Sequence, residues 1–99
     1  MQPNRDEVLR IIEENKNTLR RFGVTRLGLF GSVARGEQTG GSDLDFVVEF
    51  ETKSFDAYMD LKAFLEQLFG VEVDLVLSDV IKPRIRKAIL SEAVYASGL

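Results

Sequence analysis

The residues of this chain best suited to chemistry lie in one stretch. It reads Gly31-Ser32-Val33-Ala34-Arg35-Gly36, continues through a glycine-rich segment, and ends Ser42-Asp43-Leu44-Asp45-Phe46-Val47-Val48. Alternate residues of a strand share a face, so Asp43 and Asp45 are expected roughly 6–7 Å apart at their Cα atoms. Side chains so placed can converge on one or two divalent ions. Gly31-Ser32 follows an apolar run and opens a short helix, where backbone N–H groups and a hydroxyl suit phosphate oxygens. It is not a Walker A loop, because the Gly-Lys-Ser/Thr ending is missing. A third acid, Asp74, interrupts the apolar residues 71–77 and shares a face with Glu72 and Val76. If the strands carrying Asp45 and Asp74 are neighbours, three carboxylates meet, and their repulsion calls for a cation. The set suits a metal-bound nucleoside triphosphate. Taken singly, each member also has an ordinary explanation: a turn aspartate, a solvated strand end, a serine at a helix start.

Two basic features stand nearby. Arg35 can either reach phosphate, for which its guanidinium is well shaped, or sit on the loop surface. Lys82, Arg84, Arg86 and Lys87 cluster at the start of the last helix and read as a solvated face.

Composition narrows the chemistry. The chain has no Cys and no His. Disulfides, thiolate zinc sites, His-activated nucleophiles and imidazole acid–base catalysis are therefore excluded. A metal would need oxygen ligands, which favours Mg²⁺, with Mn²⁺ as the alternative. The net charge of −3 argues against broad binding to a phosphate backbone, so no direct nucleic-acid contact is expected. No apolar run is long enough to span a membrane and the first residues are polar, so neither a span nor a signal peptide is expected, and the cytoplasm is the default location. The 99 residues suit one domain over residues 1–99.

The elements that must position these residues follow from periodicity. Asn4 with Glu7 resembles a capping box. It starts an amphipathic helix over residues 5–22, with Val8, Ile11, Ile12, Leu19 and Phe22 on one face and Gly23 as the stop. Residues 25–30 read as a strand, residues 33–35 as a short helix with Ser32 at its cap or first turn, and residues 36–42 as a loop. Residues 44–50 alternate, with Leu44, Phe46, Val48 and Phe50 on one face and Asp45, Val47 and Glu49 on the other. A helix over residues 56–69 turns inward Ala57, Leu61, Phe64, Leu65 and Leu68. Residues 71–77 form a third strand. Pro83 opens a last helix with Ile85, Ala88 and Ile89 inward, and residues 92–95 are extended. This order predicts an α+β (mixed α/β) fold, a small mixed sheet with helices packed on it. The pattern leaves the strand order open.

The motif Gly-Ser, ten residues, Asp-Leu-Asp resembles the signature of the nucleotidyltransferase superfamily of the DNA polymerase β type. Its filled-in form is similar to the minimal nucleotidyltransferase (MNT) subgroup, and the similarity extends to Val73-Asp74-Leu75-Val76. The resemblance implies the polymerase β-like fold and transfer of NMP from an NTP, with release of pyrophosphate. It implies that Asp43 and Asp45 bind two Mg²⁺ ions, that Asp74 completes the catalytic set and helps activate the acceptor hydroxyl, and that Gly31 and Ser32 hold the triphosphate. Larger relatives carry a further domain for the acceptor, for which this chain has no room. Stand-alone MNT proteins are paired with HEPN-type toxins, which are ribonucleases. The leading expectation is thus a protein adenylyltransferase that transfers AMP from ATP to its toxin and serves as antitoxin. The alternatives are an antitoxin acting by contact alone and, third, a transferase acting on a small substrate such as an aminoglycoside.

Overall fold

The computed structural model describes residues 4–37, 43–97 and 99. The chain enters through helix α1 (Arg5–Glu14), whose first turn is capped by Asn4, with Asn4 Oδ1 accepting the Glu7 N–H at 2.9 Å. Helix α2 (Lys16–Arg21) follows. The single helix expected over residues 5–22 is therefore interrupted. At Asn15 the backbone leaves helical geometry (φ −107°, ψ 16°), and its side-chain Nδ2 donates to the Ile11 carbonyl at 2.8 Å. A short amide side chain competes with the backbone ladder in this way. Of the expected inward set, Val8, Ile12 and Leu19 are buried, whereas Ile11 is only half-buried.

Strand β1 (Val24–Phe30) leads into a single helical turn, α3 (Gly31–Ala34). The expected loop is described at Gly36 and Glu37, and the remainder, with Gly40, Gly41 and Ser42, lies outside the described residues. Strand β2 (Leu44–Phe50), helix α4 (Phe55–Phe69) and strand β3 (Val73–Leu77) form the central unit. Ser54 caps α4 by accepting the Ala57 N–H, and Gly70 ends it in the left-handed region at φ 68°. A short 3₁₀ turn (Ser78–Val80) leads to α5 (Pro83–Glu92), with Pro83 in the first turn, and to strand β4 (Val94–Tyr95).

The four strands lie in the order β3-β2-β1-β4. β2 and β3 are parallel, which a crossover such as α4 makes feasible; β1 is antiparallel to both β2 and β4. The mixed sheet agrees with the expected fold class. One face carries Leu27, Leu29, Leu44, Phe46, Val48, Val73 and Leu75, and packs on Val8, Ile12, Leu19, Leu61 and Leu65 from α1, α2 and α4. Burying one such side chain contributes about 1.5–3 kcal/mol.

The last helix departs from expectation. Periodicity turns Ile85, Ala88 and Ile89 inward, yet Ile85 and Ala88 are exposed, Ile89 is half-buried, and no residue of α5 is buried. The core is already closed by α1, α2 and α4, and α5 instead lies against α3. Among the described residues, no helix is long and apolar enough to cross a membrane.

Candidate active site

The second face of the sheet carries the acids. The Leu44 N–H donates to the Glu72 carbonyl at 3.1 Å, and the parallel ladder then sets Asp45 directly beside Asp74. At the opposite end of β3's lead-in, Glu66 accepts the Val73 N–H at 3.1 Å and fixes the strand to α4. On its other side Asp45 pairs in register with Phe30, the last residue of β1. The expected adjacency of the strands bearing Asp45 and Asp74 is therefore present.

Gly31 follows at φ 81°, a conformation that side chains rarely adopt. A Cβ placed there would fall 2.2 Å from Asp45 Oδ2. Glycine is thus needed twice, for the turn and for the approach of the α3 backbone to the carboxylate. Phe30 occupies the cap position with extended backbone, which leaves Ser32 in the first turn rather than at the cap. Ser32 Oγ has no hydrogen-bond partner among the described residues. The first N–H groups of a helix lack intrahelical partners, so this turn offers donors beside a free hydroxyl.

The electrostatics single out Asp45. Its carboxyl is half-buried, and its pKa is pushed up to about 6. Burial is the main cause, followed by the hydrogen bond with Asp74 and the negative charges of Asp74, Asp43 and Glu92. Asp43 and Asp74 are exposed. Among the described residues no three acids already converge as a ligand shell; Asp45 and Asp74 are in contact, and Asp43 acts on Asp45 through its charge. The Asp45–Asp74 pair, with Asp45 half-buried and the negative charge uncompensated, is an oxygen-only donor set of the kind that suits a hard divalent cation, and Asp43 would have to turn in to join it.

Arg35 takes the surface course rather than facing these acids. Its Nε donates to Glu37 at 3.0 Å and its guanidinium also pairs with Glu92. Both partners raise its pKa, Glu37 most. Glu92 carries no mark of a role in the sequence. It is the last residue of α5, and it nears Asp45 only because α5 folds back on α3; no local spacing signals this. Tyr95, from β4, also lies on this face. Its ring packs on Gly28, where a Cβ would meet it at 2.9 Å, and the Arg26 guanidinium stands 4.0 Å from the ring centre.

Comparison with known proteins agrees with this geometry. Residues 7–96 match the family described as nucleotidyltransferase domain. The protein adenylyltransferase MntA of Thermococcus cleftensis is 42% identical over 92 residues, covering 91% of this chain and 93% of its own. A solved structure described as a minimal nucleotidyltransferase superposes with a TM-score of 0.77 at 42% identity, covering 89% of this chain and 92% of that one. The fold is shared more distantly with the structure of a tri-AMPylated Shewanella oneidensis HEPN toxin in complex with MNT antitoxin (TM-score 0.64, 20% identity, 92% of this chain and 73% of that one). With nearly its whole length matched and Gly31, Asp45 and Asp74 brought together, this chain belongs to the nucleotidyltransferase domain family.

Proposed function

We propose that this chain is a Mg²⁺-dependent protein adenylyltransferase that transfers AMP from ATP to a hydroxyl of a HEPN-type toxin, and so acts as its antitoxin in the cytoplasm. The observation that carries the reading is the meeting of Gly31 with the Asp45–Asp74 pair at one end of the sheet. The name of the Thermococcus relative and the fold shared with an MNT antitoxin support the acceptor class.

Each residue then has a task. The backbone at Gly31 and the hydroxyl of Ser32 hold the triphosphate. Asp43, Asp45 and Asp74 would hold Mg²⁺, which supplies charge neutralisation of the attacking and leaving oxygens. Asp74, the more exposed of the strand pair, faces the acceptor and takes the proton of its hydroxyl. The acceptor oxygen forms a bond to the α-phosphorus, the bond from that phosphorus to the bridging oxygen breaks, and pyrophosphate leaves. Catalysis here is positioning and charge stabilisation. Arg35 binds phosphate only after exchanging its contacts with Glu37 and Glu92.

That pairing of Arg35 favours one competing reading, neutralisation of the partner by contact alone. The two are separated by incubating the chain, a HEPN partner and ATP labelled in the α-phosphate with Mg²⁺. Label on the partner that disappears with Asp43→Asn plus Asp45→Asn supports transfer. Neutralisation that survives the double change, without label at any point, supports contact alone.

A further inference from the structure

The groove at the open edge of β3 has no part in the chemistry above. Its volume is about 570 Å³, and Lys53, Phe55, Tyr58, Leu75, Leu77 and Val80 line it. β3 is an outer strand of the sheet, and among the described residues no further strand covers this side. Four large apolar side chains are exposed among the described residues: Phe55 (76%), Met59 (43%), Val80 (61%) and Ile85 (49%). All four belong to two short segments that flank this groove. Phe55 and Val80 line it; Met59 lies one turn along α4 from Phe55, and Ile85 lies in the first turn of α5, shortly after Val80. Concentrated apolar exposure of this kind marks a contact surface.

Apart from the Lys53–Asp79 pair, the charges around it divide by segment. Alongside Phe55 and Met59, the α4 side presents Asp56 and Asp60, both exposed. Alongside Val80 and Ile85, the α5 side presents Lys82, Arg84, Arg86 and Lys87, all exposed. Asp56, Asp60, Lys82, Arg84 and Lys87 have no ion-pair partner among the described residues. Asp79 pairs with Lys53 on the groove wall, which is the main reason its charged form is favoured, and the charge of Arg86 adds to this from the basic segment. The cations also oppose their own helix. They sit at the positive end of the α5 dipole, with no acid in the first turn and no side-chain cap. A local conflict without an internal remedy calls for negative charge from outside the chain.

We infer that this edge is a two-fold interface between two copies of the chain, the acidic α4 segment of each facing the basic α5 segment of the other over the shared apolar groove. A two-fold contact requires one patch to be complementary to itself, and a patch with an apolar centre, an acidic flank and a basic flank meets that requirement. A partner with a uniformly charged surface would match only one flank.

Sedimentation equilibrium of the full chain tests the inference. The expected result is a dimer at or below about 100 µM, weakening as salt screens the flanks. Asp56→Lys with Asp60→Lys, and separately Arg84→Glu with Lys87→Glu, alter exposed residues only. Each double variant alone is expected to raise the dissociation constant at least about tenfold. An equimolar mixture of the two is expected to pair again, because every acid then faces a base. Phe55→Ser provides a second handle if a double variant fails to fold by circular dichroism, and it too should weaken the dimer. A chain that stays monomeric, a dimer indifferent to these changes, a mixture that does not pair, or a groove covered only when a different protein is added would each overturn the inference.

Discussion

The two faces of the sheet use the same strands to opposite ends. On one, Leu29, Phe46, Val48 and Leu75 meet α1, α2 and α4 and are almost wholly buried. On the other, one residue over in each strand, the half-buried Phe30 and Asp45 and the exposed Asp74 gather at one end. The first face holds the fold together. The second tolerates a carboxylate whose proton affinity is raised by burial and by like charges. Strand alternation is what lets seven residues such as β2 serve both tasks. The contrast teaches that activity and stability should separate by parity along a strand.

The comparison breaks most severely at the core. Phe46→Ala removes a ring that is 1% exposed and stacked with Phe69. It should cost about 3–5 kcal/mol, enough to leave little folded protein, as read by urea denaturation. Gly31→Ala comes next and strikes the second face. The left-handed backbone and the Asp45 contact should cost about 1–3 kcal/mol, and the displaced α3 turn should abolish AMP transfer in the protein that remains folded. A soluble, fully active Gly31→Ala variant would remove glycine from the site.

Asp45→Asn should do the reverse of the core variant. An acid whose pKa is 3.8 when free and about 6 when folded disfavours the folded state once it is ionised. The penalty is absent below about pH 4, grows as pH rises toward 6, and is complete above that. Screening of a half-exposed carboxylate limits the penalty to about 1 kcal/mol. Metal-free Asp45→Asn should therefore be more stable than the parent at pH 7, equal to it at pH 4, and inactive at both. Thermal melts in EDTA at the two pH values check this; a variant destabilised at pH 7 would place the charge strain elsewhere. The smallest effect belongs to Asn4→Ala, which removes the α1 cap and should cost about 1 kcal/mol without altering transfer.

Much of this was legible in the chain. The alternation over residues 44–50 fixed which side of β2 carries Asp45, and the interrupted apolar run at residues 71–77 exposed Asp74, because a buried strand has few reasons to carry an acid. The break at Asn15 was hidden, since an amphipathic pattern continues across it and only the side-chain bond to Ile11 reveals the kink. The outward turn of Ile85 and Ala88 was hidden for another reason. Periodicity assigns a face to a helix but does not say whether a core remains to receive it. Glu92 and the pairing of Arg35 depend on the path of α5, which no local spacing encodes.

The central claim is that the Asp45–Asp74 face binds a triphosphate through a divalent ion. Calorimetric titration of ATP into the chain, with Mg²⁺ and then with EDTA, tests it most directly. Saturable binding is expected with Mg²⁺, lost in EDTA and lost in Asp45→Asn. Equal affinity with and without the ion, or unchanged binding by Asp45→Asn, would contradict it.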